Sequence, residues 1–215
     1  MSERAADAVW NDLTEPWQAS LDEAWASWKA GSLGIGAVVV DRHGAIVSRG
    51  RNRILEQPDR PGVLAGTMLA HAEMNALAGI PFGRTSGLTV YTSLEPCLMC
   101  AATMVMLKIG RVNYAAPDPL FDGLRDILGT HSFCAGRMPV HQGPLAGPVG
   151  SLARLLPLTV TVFWRNSPGV LDTYRRHDPA IVELAERLVA GNELASLAES
   201  GAGVVDVMAS LWARL

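Results

Sequence analysis

Cysteine is scarce in this chain, with three in 215 residues, so no disulfide framework substitutes for an apolar core. No Lys/Arg block occurs anywhere. With 18 Lys and Arg against 21 Asp and Glu, the net charge is −3 and the pI about 5.9. That balance offers no general attraction to phosphate and disfavours nucleic acid as a partner. No apolar run approaches bilayer-spanning length, which argues against a membrane, and the N-terminus lacks the basic-then-apolar pattern of a secretory leader. These absences together predict a soluble, cytoplasmic protein.

About half of the residues are apolar (49%), enough for one substantial core. A single domain is expected over residues 1–215, with its core at about 15–165 and a C-terminal helical extension at about 168–215. Two short stretches organise the chemistry: Leu69-Ala70-His71-Ala72-Glu73-Met74-Asn75-Ala76-Leu77, and Glu95-Pro96-Cys97-Leu98-Met99-Cys100. His71 offers a neutral ring nitrogen, and Cys97 and Cys100 offer two thiolates from one turn, a nitrogen and sulfur set suited to tetrahedral Zn2+. Three protein ligands leave a fourth position open, the property that separates a catalytic zinc from a structural one and lets it lower the pKa of water to about 7. Glu73, two residues from His71 and free of the metal, is placed to take a proton from that water and return it to a leaving group.

His71-Ala72-Glu73 followed by Pro96-Cys97-Leu98-Met99-Cys100 resembles the H-x-E…P-C-x-x-C signature of the zinc-dependent cytidine and nucleoside deaminase superfamily. Thr92-Ser93-Leu94-Glu95 resembles the approach to the cysteines in its guanine/cytosine and tRNA adenosine deaminase branch. The resemblance spans residues 34–119. It implies a cytidine deaminase-like α/β fold, a three-layer α/β/α sandwich around a five-stranded mixed sheet. It also implies Glu73 as the catalytic acid and base, with the backbone amide of Ala72, the side chain of Asn52 and, beyond the fourth strand, Asp118 at the substrate. Asn52 alone reads equally as an amide stabilising the strand-to-loop turn, and Asp118 as a turn former.

Along the chain, residues up to Asn11 carry little pattern. Thr14 and Pro16 open a helix whose Trp17, Leu21, Ala24, Trp25 and Trp28 share one face, a spacing that reads as core rather than as a base-stacking platform. Ile35 to Val40 reads as a buried strand, turning at Arg42-His43-Gly44 into a second strand from Ala45 to Asn52. Arg51 and Arg53 read as solvated charges. A Pro- and Gly-rich loop from Gln57 to Gly66 precedes a helix carrying His71 and Glu73 in its first turn, where the helix dipole favours negative charge. A third strand from Gly87 to Ser93, a second metal helix from Cys97 to Ile109 and a fourth strand from Arg111 to Ala116 complete the motif region. From Phe121 to Leu156 no clear element is expected; His131 and Cys134 lie there, and a fourth ligand from that pair would close the metal site. Pro157 to Phe163, rich in β-branched residues, is expected as the fifth strand, followed by helices at Pro179 and at Val204 to Leu215. These last helices suit capping the core or forming a homodimer.

The expected activity is hydrolytic deamination of a small amino-substituted heterocycle, a nucleobase or nucleoside such as guanine, cytosine or a related amino-purine or triazine, with release of ammonia. The competing readings are a tRNA-specific adenosine deaminase, against which the acidic pI stands, and a non-catalytic zinc-stabilised scaffold.

Overall fold

The computed structural model describes residues 2–215 except 60, 84 and 165–167. The N-terminal stretch without pattern is a helix, α1 (Ser2–Asp12), and it leads into α2 (Glu15–Lys29), with Thr14 as N-cap and Pro16 in the first turn. A hairpin of β1 (Gly36–Val40) and β2 (Ile46–Arg51) follows, then α3 (Ala72–Ala78), β3 (Thr89–Leu94), α4 (Leu98–Leu107) and β4 (Arg111–Ala116). The sheet is completed by β5 (Val140–Gln142) in the order β2-β1-β3-β4-β5. The pairs β1/β2 and β1/β3 are antiparallel, whereas β3/β4 and β4/β5 are parallel. A five-stranded mixed sheet is therefore present as expected.

Register decides what each face buries. Val39, Val90 and Val112 align across three strands and meet Ala72 and Ala76 of α3 and Met104 of α4. The opposite face presents Val38 and Val40 to Ala19 of α2. Helices thus cover both sides, each strand burying alternate residues in opposite layers. Two glycines set how closely the layers approach. A Cβ on Gly36 would lie 2.2 Å from the Ser20 carbonyl oxygen of α2, and one on Gly50 would lie 2.3 Å from the Ala76 nitrogen of α3. Only glycine lets α3, which carries the metal motif, sit directly on β2.

The sequence expectation for the fifth strand is corrected. Pro157 to Phe163 lies within α7 (Pro148–Trp164), and the fifth strand is the three-residue β5 upstream. Alternating Thr and Val favour a strand in isolation. Here, however, Val149, Leu152, Ala153, Leu155 and Leu156 recur at helical spacing and are all buried, so packing overrides local preference. Pro157 removes one backbone donor, and the hydroxyls of Thr159 and Thr161 donate back to the carbonyls of Leu156 (2.8 Å) and Pro157 (3.0 Å) in the preceding turn.

The stretch at 121–156 is likewise more ordered than expected. It holds a 3-10 turn beginning upstream (Pro119–Phe121), α5 (Leu124–Gly129), α6 (Ser132–Ala135), β5 and the start of α7. The C-terminal region comprises α8 (Pro168–His177), α9 (Pro179–Ala190), α10 (Glu193–Glu199), α11 (Val204–Leu211) and a closing 3-10 turn (Trp212–Arg214). One continuous core joins these helices to α2 and α7 through Trp25, Leu152, Leu155, Leu184, Leu188 and Met208. The tryptophan stripe of α2 is core, as expected: Trp25 and Trp28 stack with ring centres 5.0 Å apart, and the Trp28 indole donates to Thr159 Oγ1 at 2.9 Å.

Candidate active site

Both metal motifs sit at the N-terminal ends of helices. His71 is the N-cap of α3 and Cys97 the N-cap of α4, each one step earlier than the first-turn placement expected from sequence, while Cys100 lies in the first turn of α4. Because β1 separates β2 from β3 while α3 and α4 lie on the same face, the two helix starts converge at one end of the sheet. The convergence is close. His71 Nδ1 lies 3.6 Å from Cys97 Sγ and 3.7 Å from Cys100 Sγ. A tetrahedral ion with ordinary Zn–N and Zn–S bonds separates nitrogen from sulfur by about 3.6 Å, so both histidine–cysteine separations suit zinc. Among the described residues this is the one group of three or more His, Cys, Asp or Glu side chains within reach of a common ion. His131 and Cys134 do not join it.

Protonation within this group is strongly biased. The Cys100 thiol beside it, with His71 assisting, pulls Cys97 down to about 4, while interaction with Cys97 and burial push Cys100 up. Hydrogen bonding with Cys97 raises His71. One thiolate is therefore ready, and the remaining proton leaves when a metal binds.

Glu73 is 4% exposed, in the first turn of α3. Thr92 Oγ1 of β3 donates to its Oε1 at 3.2 Å, and Cys100 Sγ lies 3.4 Å from its Oε2. Burial, then the charge of Cys97, raises its carboxyl above the ordinary value. A carboxyl with a raised pKa, next to a metal donor set, is suited to cycling a proton near neutral pH. Ala72 is fully buried and is the first residue of α3, so its N–H has no acceptor within the helix.

A cavity of about 400 Å³ opens onto His71, Glu73 and Cys97. Leu33, Ile35, Ile54, Leu55 and Met68 form one wall; Glu95, Asp118, Leu120 and Phe121 form another. A third comes from α7 and α8 through Pro157, Leu158, Val160, Thr161, Trp164, Val170 and Tyr174. Asp118 is 6% exposed and lines the cavity. Burial raises its carboxyl, an effect opposed by the Leu120 N–H (3.0 Å) and the Tyr174 hydroxyl (3.1 Å), both donating to Oδ1.

Asn52 is fully buried but is not among the cavity-lining residues. Its Oδ1 accepts from Ser32 Oγ (2.8 Å) and from the Ile54 N–H (3.2 Å), the turn-forming role that its residue type suggests. Its Nδ2 is buried with no partner among the described residues. Arg53 is not a solvated charge: it is 4% exposed and pairs with Glu56 (3.0 Å) and Asp59 (2.8 Å), while Arg51 also pairs with Glu56. Asn75 of α3 exchanges side-chain hydrogen bonds with the Leu64 N–H (2.9 Å) and carbonyl (3.0 Å). The Pro- and Gly-rich loop is thereby strapped to the metal helix. Sequence reasoning missed the walls from α7 and α8, since Tyr174 and Trp164 stand in no motif and their position depends on how distant helices pack.

Residues 12–116 match the family model of the cytidine and deoxycytidylate deaminase zinc-binding region. A tRNA-specific adenosine deaminase of Streptococcus pyogenes serotype M18 is 30% identical over 138 residues, covering 63% of this chain and 83% of that protein. The chain belongs to the zinc-binding cytidine and deoxycytidylate deaminase family. Its cofactor is zinc, and the His, Cys, Cys geometry agrees. The tRNA(Ile)-lysidine synthase of Deinococcus radiodurans is 32% identical over 177 residues, 77% of this chain; the chain spans only 28% of that relative's length. A solved structure from work on A-to-I editing by tRNA:A34 deaminases superposes with a TM-score of 0.50 at 27% identity, covering 61% of this chain and 93% of that one. The deaminase fold is thus shared, and no helix among the described residues is long and apolar enough to cross a membrane.

Proposed function

We propose that this family member hydrolyses the exocyclic amine of a small heterocycle, a free nucleobase or nucleoside, replacing C–NH2 by C=O and releasing ammonia. The observation that carries this reading is the cavity itself. Its third wall is built by α7 and α8, which lie beyond the matched deaminase region, and the volume of about 400 Å³ falls in the range of small-ligand sites.

His71, Cys97 and Cys100 hold the zinc in this reading. When bound, zinc supplies Lewis acidity that makes water nucleophilic near neutral pH. Glu73 does the proton work: it takes a proton from the attacking water and gives it to a ring nitrogen, then takes the second proton from the hydroxyl so added and gives it to the departing amine, leaving C=O and ammonia. Thr92, donating to Glu73 Oε1, keeps the carboxylate facing the donor group through these transfers. The Ala72 N–H holds the ring at the reacting end; the unpartnered Nδ2 of Asn52 does not line the cavity and serves the far side only if the wall at Ile54 and Leu55 moves aside when a ligand enters. A homodimer belongs to this reading, since Leu98 (52% exposed) and Met106 (66%) leave an apolar outer face on α4.

A second reading, deamination of adenosine in tRNA, is favoured by the 30% identity to a tRNA-specific adenosine deaminase over most of that protein's length. Ammonia release from amino-purines, amino-pyrimidines, triazines and their nucleosides, with an unmodified tRNA anticodon stem-loop alongside, separates the two. Turnover of a base or nucleoside supports the first reading. Turnover of RNA alone replaces it with the second.

A further inference from the structure

We propose that Tyr174 is a positioning residue of the active site, turning the Asp118 carboxylate into the cavity as an acceptor for N–H or O–H donors, so that the site takes unphosphorylated bases or nucleosides and rejects nucleotides. This rests on the deaminase reading above and narrows its substrate class. Tyr174 belongs to α8, outside the matched residues 12–116. The helix packs half-buried Val170 and Leu171 on the core and ends in Arg175, Arg176 and His177, and Tyr174 is its one buried residue at 3% exposure. A buried tyrosine hydroxyl needs a partner. The partner here is Asp118 Oδ1, 3.1 Å away on the wall of the catalytic cavity. A helix that merely covered the core would be served by phenylalanine at this position.

The hydrogen-bond pattern orients the carboxylate. Oδ1 accepts from Tyr174 and from the Leu120 N–H that starts the 3-10 turn (Pro119–Phe121), so both bonds fall on one oxygen and Oδ2 is left for a ligand. The Asp118 N–H in turn donates to Glu95 Oε2 at 3.3 Å, which brings a second cavity-lining carboxyl alongside. Ionised carboxylates only accept hydrogen bonds. Ring N–H groups and ribose hydroxyls satisfy them, whereas a phosphate brings further acceptors and like charge. The end of α8 is itself anchored: Arg154 pairs with Asp178 at 2.8 Å, just past His177.

The test uses the zinc-loaded full chain, its Tyr174→Phe, Asp118→Asn and double variants, and, as probes, adenosine, cytidine, guanosine, their free bases and 5′-monophosphates, and an unmodified tRNA anticodon stem-loop. Equilibrium dialysis gives Kd, and ammonia release gives kcat and KM. In the native protein the preferred nucleoside should bind at least about tenfold more tightly than its monophosphate, the scale of one hydrogen bond to a charged group. Asp118→Asn should bring that ratio toward one. Tyr174→Phe should raise KM by roughly three- to tenfold while kcat changes less than about twofold, and the double variant should be no worse than Asp118→Asn alone, as coupled residues require. Equal or tighter nucleotide binding by the native protein, strictly additive effects of the two substitutions, or no binding of any probe overturns the inference. Ammonia from nucleotides or RNA alone overturns it while leaving the deaminase reading intact. No ammonia from any probe, with the binding ratio as expected, overturns the deaminase reading and leaves the inference standing.

Discussion

Replacing Glu73 with Gln removes the proposed proton carrier and little else. The side chain is 4% exposed, with Thr92 Oγ1 at 3.2 Å from one oxygen and Cys100 Sγ at 3.4 Å from the other. Glutamine fills the same volume, and its carbonyl oxygen still accepts from Thr92. General acid and base catalysis contributes about 10²- to 10⁴-fold. Because one carboxylate serves successive transfers on a single path, the upper end applies, and kcat should fall by roughly 10³- to 10⁴-fold, about 4–5.5 kcal/mol of barrier. Burial already raises this carboxyl, so a neutral amide relieves a desolvation cost and the melting temperature should hold or rise. The assay is ammonia release across a substrate series, with zinc content by plasma emission and a thermal melt on the same preparation. Zinc should stay near one per chain, and KM should move by less than about fivefold, since the amide leaves binding contacts in place. A variant that keeps zinc and more than about a tenth of native kcat refutes the assignment of Glu73 as proton carrier.

Three further outcomes follow from the same geometry. Cys97→Ser replaces the readiest thiolate of the donor set with a hydroxyl, and should lose zinc during dialysis against a mild chelator that leaves the native protein loaded. Gly50→Ala places a methyl 2.3 Å from the Ala76 nitrogen, pushing α3 from β2; a stability loss of about 1–3 kcal/mol by urea unfolding, with weaker zinc retention because α3 starts at His71, is expected. The pH dependence has a definite sign. Asp118 has a folded pKa raised by burial, so protonation favours the folded state and the group's contribution to stability declines as pH rises from the ordinary aspartate value through the raised one. The acceptor exists only above that raised value, so KM should climb on the acid side of neutrality, and Asp118→Asn should flatten the rise.

How much could be read from the sequence divides along a physical line. His71, Glu73, Cys97 and Cys100 were legible because chemistry fixes residue type and spacing, and helix starts bring them together whatever surrounds them. β1 was legible as a short apolar run, β2 as its return after the Arg42-His43-Gly44 turn, β3 through the alternation of Leu88 and Val90 with polar residues, and β4 as the strand after the second metal helix. The run at Thr159-Val160-Thr161-Val162 misled, since β-branched residues favour a strand only where no helix face is buried, and burial of Leu152, Leu155 and Leu156 is a property of the assembled core. β5, three residues long, is held by pairing with β4 and carries no pattern of its own. Tyr174 was invisible for a related reason: its role depends on the return of α8 to the 3-10 turn after Asp118, 56 residues earlier. Asn52 lay between, its turn role evident from residue type and its unpartnered Nδ2 evident only from burial.

The central claim is a zinc ion held by three protein donors with its fourth position left to the reaction. X-ray absorption at the zinc edge of the loaded full chain tests it most directly. Two sulfur donors at about 2.3 Å and two lighter donors at about 2.0 Å, only one of them showing imidazole scattering, is the result expected. A third sulfur, a second imidazole, or two sulfurs with no imidazole contradicts it.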